Sequence, residues 1–367
     1  MARATLHGVR EIRALVTVGD RFVGEAEPFT VDSPWWNDVE PVTARLDEVL
    51  GVTTSVLRLV GTTARGSRDG VVTYQVEADR VPGRGLTPGG RHSFPDHPLR
   101  MPWARPGGPA ELVAWARRHV DVTGPVVQVK TWNLSCLYRL PTADGAVWAK
   151  ATPPFMADEA EVIGMVASVD PSLAPRLIAS EPGRVLLAEA PGVDCWQPGD
   201  DVVERIVPRW VAVQAALAGS ASADSASAGG ALAGGVRLRV RGVPVPDFGL
   251  PDTLLHGDFH PGNWRSGGVV LDWGDAHWGH PALDAARLIG FVAPEFRPSI
   301  ERAWVDAWLR HYPSSDPASA LRHARPASHL VGAVVYQEFL DNIEPSERVY
   351  HLGDPEAELE RAQSLAV

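Results

Sequence analysis

Residues 256–275 read HGDFHPGNWRSGGVVLDWGD and carry three polar side chains that one site can use, Asp258, Asn263 and Asp272. Asp258 lies in a turn-rich segment, and a glycine pair predicts a tight turn before the short apolar run 269–271. We expect that run to form a brief strand with Asp272 at its end. A strand-end carboxylate and a loop amide oxygen can bind one hard cation such as magnesium, which prefers oxygen ligands and keeps several waters. Asp258 would accept a hydrogen bond from an attacking hydroxyl and orient it.

The same stretch resembles the catalytic and metal loops of the aminoglycoside phosphotransferase family, which shares the protein-kinase-like fold. Residues 256–258 and Asn263 are similar to its catalytic loop, and residues 271–274 to its metal loop. The resemblance implies that Asp258 is catalytic, that Asn263 and Asp272 bind Mg²⁺, and that ATP is the phosphoryl donor. Asp275 is a rival to Asp272 because it follows so closely.

The alternative for this stretch is a structural turn, since Asp and Asn are common loop residues and a glycine pair makes a hairpin turn whatever the function. Two histidines in the stretch fit that alternative. We expect His256 to fix the loop through its ring nitrogens. His260 could touch substrate, but we favour a role in packing the loop.

The composition, 45% hydrophobic and 22% charged over 367 residues, is typical of a globular protein. The net charge of −11 argues against a nucleic-acid partner, for which a basic patch is typical. Two cysteines give no disulfide framework, the first residues lack a signal-type apolar core, and no run approaches the ~18 apolar residues of a membrane span. We therefore expect a cytoplasmic protein without membrane contact, as a monomer or homodimer.

A second candidate site lies in a strand–turn–strand–turn–strand pattern at 126–129, 136–141 and 146–150. It ends in Lys150, and only two of the 34 basic residues are lysines. The pattern resembles the nucleotide-binding strands of the same family, which implies that Lys150 holds the ATP phosphates and takes part in catalysis. The alternative is a solvated surface lysine.

The first turn of this pattern has no G-x-G-x-x-G motif, which departs from the kinase pattern. Asn133 and Ser135 would then cover phosphate with backbone N–H groups and short side chains. Glu159 is the expected helix partner of Lys150, because the apolar residues that follow it keep helical spacing, and Glu161 is the alternative. Either carboxylate could instead serve only the helix dipole.

The strand 184–190 ends in a Pro-Gly turn and resembles the family's linker between lobes, where backbone groups of Glu189 and Ala190 would meet adenine. Beyond a low-complexity segment, residues 236–240 read as a strand. Helices are expected at 282–291 and 299–311, and two separate ones at 317–323 and 326–343. In the first of these, Asp284 would brace the catalytic loop, as the resemblance implies.

The resulting fold class is α+β, a protein-kinase-like pair of lobes behind an additional small N-terminal domain. The expected boundaries are 1–81 for the N-terminal α+β domain, 82–108 for a linker, 109–192 for the small lobe and 193–367 for the helical lobe. We expect the N-terminal domain to pack on the small lobe, away from the cleft.

The expected reaction moves the γ-phosphoryl group of ATP to a small-molecule hydroxyl. The acceptor could be an antibiotic (aminoglycoside or nucleoside), with resistance as the outcome, or a sugar, an amino sugar or a small alcohol of metabolism. Two other classes remain open. One is a nucleotide-binding protein without catalysis, because the phosphate turn is atypical. The other is a scaffold in which the kinase-like part supports a partner-binding N-terminal domain.

Overall fold

The computed structural model describes residues 9–64, 66–90, 92–219, 243 and 245–365. Within them the chain forms two sheets of five or more strands, a two-stranded ribbon and a helical lobe. No described helix has the length and apolar character needed to cross a membrane. The strand expected at 236–240 lies outside the described residues.

The first sheet, called the N-terminal sheet, spans residues 10–87. Its strands are β1 (Arg10–Val18), β2 (Arg21–Ala26), β3 (Phe29–Val31), β4 (Thr54–Thr62), β5 (Gly70–Ala78) and β6 (Leu86–Thr87). Their order is β4-β5-β1-β2-β6, with β3 beside β1 and with β1 parallel to β5. Helix α1 (Glu40–Leu50) covers the sheet with its apolar face, which includes the buried Leu46. Alternating apolar residues such as Ile12 and Val72 complete this core.

Between the sheets, residues 88–90 and 92–107 are mostly irregular, apart from a short 3₁₀ helix at Pro102–Ala104. Helix α2 (Gly108–Ala116) follows with proline in its first turn. It leads to the second sheet, which is antiparallel throughout and ordered β10-β11-β9-β8-β7. These strands are β7 (Val127–Trp132), β8 (Ser135–Thr142), β9 (Gly145–Ala151), β10 (Leu177–Glu181) and β11 (Arg184–Ala188).

The sheet of β7 to β11 and helix α3 (Glu159–Val169) make up the small lobe of a protein-kinase-like fold. Apolar residues of α3, such as Ile163, pack in the large core shared with the helical lobe. Strand β10 was not predicted from the sequence. Its residues are half-exposed or exposed, so they show no clear alternation, but the Pro182-Gly183 turn before β11 is a hairpin signal.

The described part of the helical lobe contains five α-helices and a short ribbon. The helices are α4 (Asp200–Leu217), α5 (Ala282–Phe291), α6 (Arg297–His311), α7 (Pro317–Asn342) and α8 (Asp354–Leu365). The ribbon pairs β12 (Thr253–Leu255) with β13 (His277–Gly279). Buried residues such as Trp210, Ile289 and Trp308 fill the space between the helices.

Helix α7 corrects the prediction of two helices at 317–323 and 326–343. It continues through Pro326, although proline removes one backbone hydrogen bond. Buried residues lie on both sides of the proline, Leu321 before it and Val331 after it, and both belong to one core. Burial of this continuous face therefore outweighs the lost bond.

The predicted strand at 269–271 is also wrong. Val270 makes only an isolated bridge to Trp264. Its amide donates to the carbonyl of Leu173, at 2.7 Å, and the amide of Leu271 donates to the carbonyl of Asn263, at 2.8 Å. The run is apolar because Val269 and Val270 are buried, and burial alone does not distinguish such a segment from a strand.

The segment between β3 and α1 docks on strand β7 of the small lobe through backbone bonds, and β4 adds a side-chain contact. The amide of Val39 donates to the carbonyl of Val129, and the amide of Thr131 donates to the carbonyl of Asn37, both at 3.1 Å. The buried side chain of Gln128 bonds both the N–H and the C=O of Val56, at 2.8 and 2.9 Å. These bonds satisfy polar groups of both sheets that would otherwise be buried without partners.

Candidate active site

The loop that carries Asp258 is shaped by one buried carboxylate. Asp284, in the first turn of α5, accepts the backbone N–H groups of His256, at 2.8 Å, and Gly257, at 3.0 Å. Its Oδ2 also accepts the indole N–H of Trp210, at 3.0 Å. Burial raises the pKa of Asp284, and these donors oppose that effect. Asp284 thus braces the loop.

The ring of His256 joins this loop to the segment that carries Asp272. Its Nε2 lies 2.9 Å from the carbonyl oxygen of Leu271, and its Nδ1 accepts the backbone N–H of Asp258 at 3.2 Å. Burial lowers the pKa of His256, so the neutral ring donates through Nε2. These bonds agree with the structural role expected for His256.

Asp258 receives donors on both carboxylate oxygens. Arg287 of α5 donates to Oδ1 through Nη2 at 2.9 Å and Nε at 3.2 Å. On Oδ2, His260 Nε2 lies at 3.1 Å and the amide nitrogen of Asn263 at 3.3 Å. Burial alone would raise the pKa of Asp258, but His260 and Arg287 outweigh it and hold the pKa well below its usual range. Asp258 is therefore a fixed, ionised hydrogen-bond acceptor.

Sequence reasoning missed Arg287, although a signal was present. Arg287 lies three residues after Asp284 and hence on the same face of α5, so a helix braced against the loop through Asp284 presents Arg287 to it as well. His260 reaches Asp258 through Nε2 and accepts a hydrogen bond from the backbone N–H of Gly262 at Nδ1, at 3.0 Å. It also stacks on Phe291 with ring centroids 4.1 Å apart, which agrees with the expected packing role.

Lys150, near the end of β9, lies between two carboxylates. Its Nζ is 2.9 Å from Glu159 Oε2 and 2.6 Å from Asp272 Oδ1. Burial opposes the ammonium charge, but Asp272 and Glu159 outweigh that effect and raise the pKa of Lys150 above its usual value. Glu159, whose side chain is 1% exposed, is thus the partner that the fold brings to Lys150, rather than Glu161.

Asp272 has a left-handed backbone, with φ of 65°, in a residue other than glycine. Such a conformation costs of order 1–3 kcal/mol and persists where the surroundings impose it. Here both neighbouring residues are fixed by hydrogen bonds. The carbonyl oxygen of Leu271 accepts from the His256 ring, and the amide of Trp273 donates to Glu159 at 3.2 Å. The strained backbone points the Asp272 carboxylate at Lys150.

Two cavities meet at these residues. The first, called the Lys150 cavity, has a volume of about 460 Å³, and its lining includes Lys150, Glu159, Asn263 and Asp272. The second, called the Arg287 cavity, has a volume of about 280 Å³, and its lining includes Asp258, Asp272, Asp275, Arg287 and Tyr336. Asp272 lines both, so Asp258 and Lys150 face one junction from opposite sides.

The segment before α1 also lines the Lys150 cavity, through Ser33, Asp38 and Glu40, and Ser67 lines the Arg287 cavity. The expectation that the N-terminal part packs away from the cleft is therefore wrong. The backbone bonds to β7 bring this part alongside a strand whose residues Val129 and Lys130 line the Lys150 cavity. The apolar pattern of a strand does not specify which edge of a neighbouring sheet it will meet.

Of the four other residues predicted to contact the nucleotide, two line the Lys150 cavity. Ala190 and Ser135 line it, whereas Glu189 is exposed and its amide donates to the carbonyl of Ala146. Asn133 is 1% exposed, and its side chain bonds the helical lobe. The expectation that the Asn133 side chain covers phosphate is wrong, because its amide group is hydrogen-bonded to Glu347 and His351.

Known proteins with similar features were found in two comparisons. Residues 236–318, which include Asp258, Asn263 and Asp272, match the model of the Phosphotransferase enzyme family. This match confirms the resemblance seen in the sequence. A search of curated protein sequences found no match.

Three solved structures illustrate the structural likeness. A choline/ethanolamine kinase family protein from Mesorhizobium loti is 13% identical, with a TM-score of 0.46 over 69% of this chain and 94% of that chain. A macrolide 2′-phosphotransferase from Brachybacterium faecium is 18% identical, with a TM-score of 0.44 over 67% of this chain and 97% of that chain. A choline kinase from Streptococcus pneumoniae is 12% identical, with a TM-score of 0.47 over 70% of this chain and 99% of that chain. At such identities and scores the likeness says nothing about the substrate of this chain.

Proposed function

We propose that the protein is an ATP- and Mg²⁺-dependent phosphotransferase that moves the γ-phosphoryl group of ATP to a hydroxyl group of a small molecule. One observation carries the proposal. Asp258, Asn263 and Asp272, from one loop region, converge with the Lys150–Glu159 pair, from a distant part of the sequence, where two cavities meet. A donor and an acceptor molecule in the two cavities would face each other at this junction.

Lys150 is the proposed phosphate-binding cation. Its ammonium is held by Glu159 and Asp272, so it is positioned before any substrate arrives. A preorganised cation at the phosphates stabilises the charge that spreads over the transferring phosphoryl group. Glu159 orients Lys150 from α3. Ala190 and the backbone of Glu189 are the proposed adenine contacts, and Ser135 is the proposed phosphate contact of the β7–β8 turn.

Asn263 and Asp272 are the proposed Mg²⁺ ligands, and the donor set fits this ion. The Asn263 amide nitrogen donates to Asp258, at 3.0 Å to its carbonyl oxygen, so the amide oxygen lies on the other side of the group. Asp272 supplies a half-exposed carboxylate, and both residues line the Lys150 cavity. Among the described residues no group of three or more His, Cys, Asp or Glu could hold a metal. Two protein oxygens with water and phosphate oxygens match the preference of Mg²⁺. When bound, the ion would neutralise charge on the phosphates.

Asp258 is the proposed catalytic residue on the acceptor side. Its carboxylate is held ionised by Arg287 and His260 and faces the Arg287 cavity. It would accept a hydrogen bond from the acceptor hydroxyl and orient that oxygen for attack. With a depressed pKa it is a weak base, so orientation is its main contribution.

The experiment is a substrate panel. The full-length protein is incubated with ATP, Mg²⁺ and hydroxyl compounds of several classes: aminoglycosides, macrolides, nucleoside antibiotics, sugars, amino sugars and amino alcohols. Mass spectrometry then detects the mass of one added phosphoryl group. We expect one class to be modified in an ATP- and Mg²⁺-dependent manner. Binding of the ATP analogue AMP-PNP with no product from any class would instead favour a nucleotide-binding protein without catalysis.

Variants then test the roles. Asp258→Asn should lower kcat by about 10²- to 10⁴-fold with little change in AMP-PNP affinity, because Asp258 orients the acceptor and does not bind nucleotide.

Asp272→Ala should lose Mg²⁺-dependent AMP-PNP binding. Asp306→Asn, an exposed carboxylate of α6, is the control. If Asp275→Ala is inactive and Asp272→Ala is active, the metal ligand is Asp275.

A further inference from the structure

The turn between β7 and β8, residues 132–135, borders both cavities. Trp132, Leu134 and Ser135 line the Arg287 cavity, and Ser135 also lines the Lys150 cavity. The turn reads Trp-Asn-Leu-Ser and contains no glycine. A glycine-rich loop can move its backbone freely, whereas this turn has side chains at every position. What fixes those side chains therefore decides how the turn meets a ligand.

Asn133 ties the turn to the helical lobe. Its Nδ2 donates to the carbonyl oxygen of Glu347 at 3.3 Å, and its Oδ1 lies 3.2 Å from Nε2 of His351. Asn133 is 1% exposed and His351 is 4% exposed. A buried amide with both ends bonded is costly to release, because either end would lose its partner away from water. These two bonds cross from the small lobe to the helical lobe.

Packing around Trp132 reinforces this attachment. Its indole N–H donates to Ser135 Oγ at 3.0 Å, which closes the turn on itself. Its ring lies 5.6 Å, between centroids, from both Tyr350 and His351. Trp103 donates to its carbonyl oxygen at 2.9 Å. The position of Ser135 thus depends on Trp132, which depends on the helical lobe.

The anchor on the helical lobe is itself held. We call residues 344–351 the clamp segment. Glu344 pairs with Arg58 of β4 at 3.2 Å and with Arg100 at 2.9 Å, and all three side chains are about 5% exposed. Glu347 accepts the backbone N–H of Leu59 at 3.2 Å. The clamp segment therefore joins the N-terminal sheet, the helical lobe and the β7–β8 turn.

We propose that Asn133 and His351 are positioning residues that fix the β7–β8 turn at the border of the two cavities, so that it covers the phosphates of a nucleoside triphosphate without a glycine-rich loop. This rests on the proposed function of the Lys150 cavity. Asn133 acts through the turn and touches no phosphate with its side chain. Ser135 then presents its hydroxyl and backbone at a set position.

Hydrogen–deuterium exchange on the full-length protein tests the fixing of the turn, and the Kd for AMP-PNP with Mg²⁺ tests its use. The variants are Asn133→Ala, His351→Leu and His351→Gln. Leucine removes the ring N–H and leaves Asn133 Oδ1 without a donor, whereas the glutamine amide can replace Nε2. His329→Leu is the matched control, because His329 pairs with Glu358, at 2.6 Å, within the helical lobe.

We expect Asn133→Ala and His351→Leu to speed exchange of the turn amides by about tenfold, as loss of one buried hydrogen bond implies, and to weaken AMP-PNP binding by a similar factor. His351→Gln should restore both, and His329→Leu should change neither. If Asn133→Ala does not fold, the two His351 variants decide. Wild-type exchange at the turn in His351→Leu would overturn the proposal, as would faster exchange with an unchanged Kd.

The proposed nucleotide-binding function and the fixing of the β7–β8 turn are tested separately. If the wild-type protein binds no AMP-PNP with Mg²⁺, the proposed function is wrong, and with it the role of the turn in covering phosphate. The exchange comparison needs no ligand and shows whether Asn133 and His351 fix the turn. If they do fix it and wild-type AMP-PNP binding is detectable, the change in Kd decides the positioning role.

Discussion

Lys150 is one of only two lysines among the 34 lysine and arginine residues of the chain. The ammonium of Lys150 fits between Glu159 and Asp272, with its side chain 10% exposed. A guanidinium is planar and wider, so it cannot take the same place between two carboxylates held by separate elements. The other lysine, Lys130, is 41% exposed and lies 3.9 Å from Asp38.

Replacement of Lys150 should follow from this geometry. We expect Lys150→Ala to raise the KM for ATP and to lower kcat, because the cation meets charge that is present in the ground state and changes in the transition state. Lys150→Arg should rescue poorly. Lys130→Arg, which keeps the charge at a partly exposed position in the wall of the Lys150 cavity, should change kcat/KM far less. Steady-state kinetics measures all three, and full activity in Lys150→Arg would mean that shape at this position is unimportant.

At the scale of the element, the catalytic loop depends on close backbone approach. Gly257 has a φ of 83°, and a Cβ at this position would lie 2.1 Å from the carbonyl oxygen of Asp275. Both Asp284 bonds and the His256 bonds require this approach. The loop is therefore a fixed platform for Asp258.

Gly257→Ala should lower the Tm and abolish transfer, because the left-handed backbone is strained for alanine and the methyl group has no room. Gly145→Ala is the matched control, since Gly145 also has a positive φ, of 116°, but nothing within 4 Å of an added Cβ. The control should carry only the backbone penalty, about 1–2 kcal/mol. Thermal melts and activity separate the two. Equal Tm values and equal activities would argue against the close approach.

At the scale of the whole molecule, the clamp segment is a buried ionic junction. Burial raises the pKa of Glu347 to about 8, and Glu344 acts in the same direction, while the Leu59 N–H, Arg58 and Arg100 oppose it. The folded pKa is thus above that of an exposed glutamate, so the folded state binds more protons between these two values. The stability contributed by Glu347 is complete below the unfolded pKa and is lost as the pH rises through about 8.

Glu347→Gln should therefore flatten the fall of Tm between pH 6 and pH 9. Glutamine keeps an oxygen that can accept from Leu59 and carries no charge at any of these pH values. At pH 9 the variant should melt a few °C higher than the wild type, since the Tm shifts by roughly 1–2 °C per kcal/mol in a chain of 367 residues. Glu356→Gln, an exposed site on α8, should leave the pH profile unchanged. Parallel Tm profiles for wild type and Glu347→Gln would contradict the buried, proton-binding carboxyl.

The N-terminal sheet should be needed by the rest of the chain. A chain that begins at Pro109 loses Arg58 and Arg100, which leaves Glu344 buried without its cations, and it uncovers the bonded edge of β7. Removing one side of a buried ion pair typically destabilises by 3–5 kcal/mol. We expect this chain to be poorly soluble or much less active. If the shortened chain matched the full-length protein in solubility on expression and in transfer activity, docking of the N-terminal sheet would not be needed for either.

The local features of this protein follow from its amino-acid sequence alone. The spacing of Asp258, Asn263 and Asp272 placed them in one loop region, because all three lie within 15 residues and turn chemistry acts over that range. Hairpin patterns gave the strands that carry Lys150, since the alternation and the turns are local signals. Helical spacing after Glu159 favoured it over Glu161 for the same reason.

Contacts between groups distant in the sequence follow from the packing of the folded chain. Asn133 bonds Glu347 and His351, 214 and 218 residues further along the chain, and no periodic pattern records such a contact. Arg287 reaches Asp258 because α5 packs against the loop, and the N-terminal sheet borders the cleft because its backbone bonds to β7. These contacts depend on how separate apolar faces pack together. Packing fixes which buried polar groups must satisfy one another, and that is why the role of Asn133 was misassigned from its turn alone.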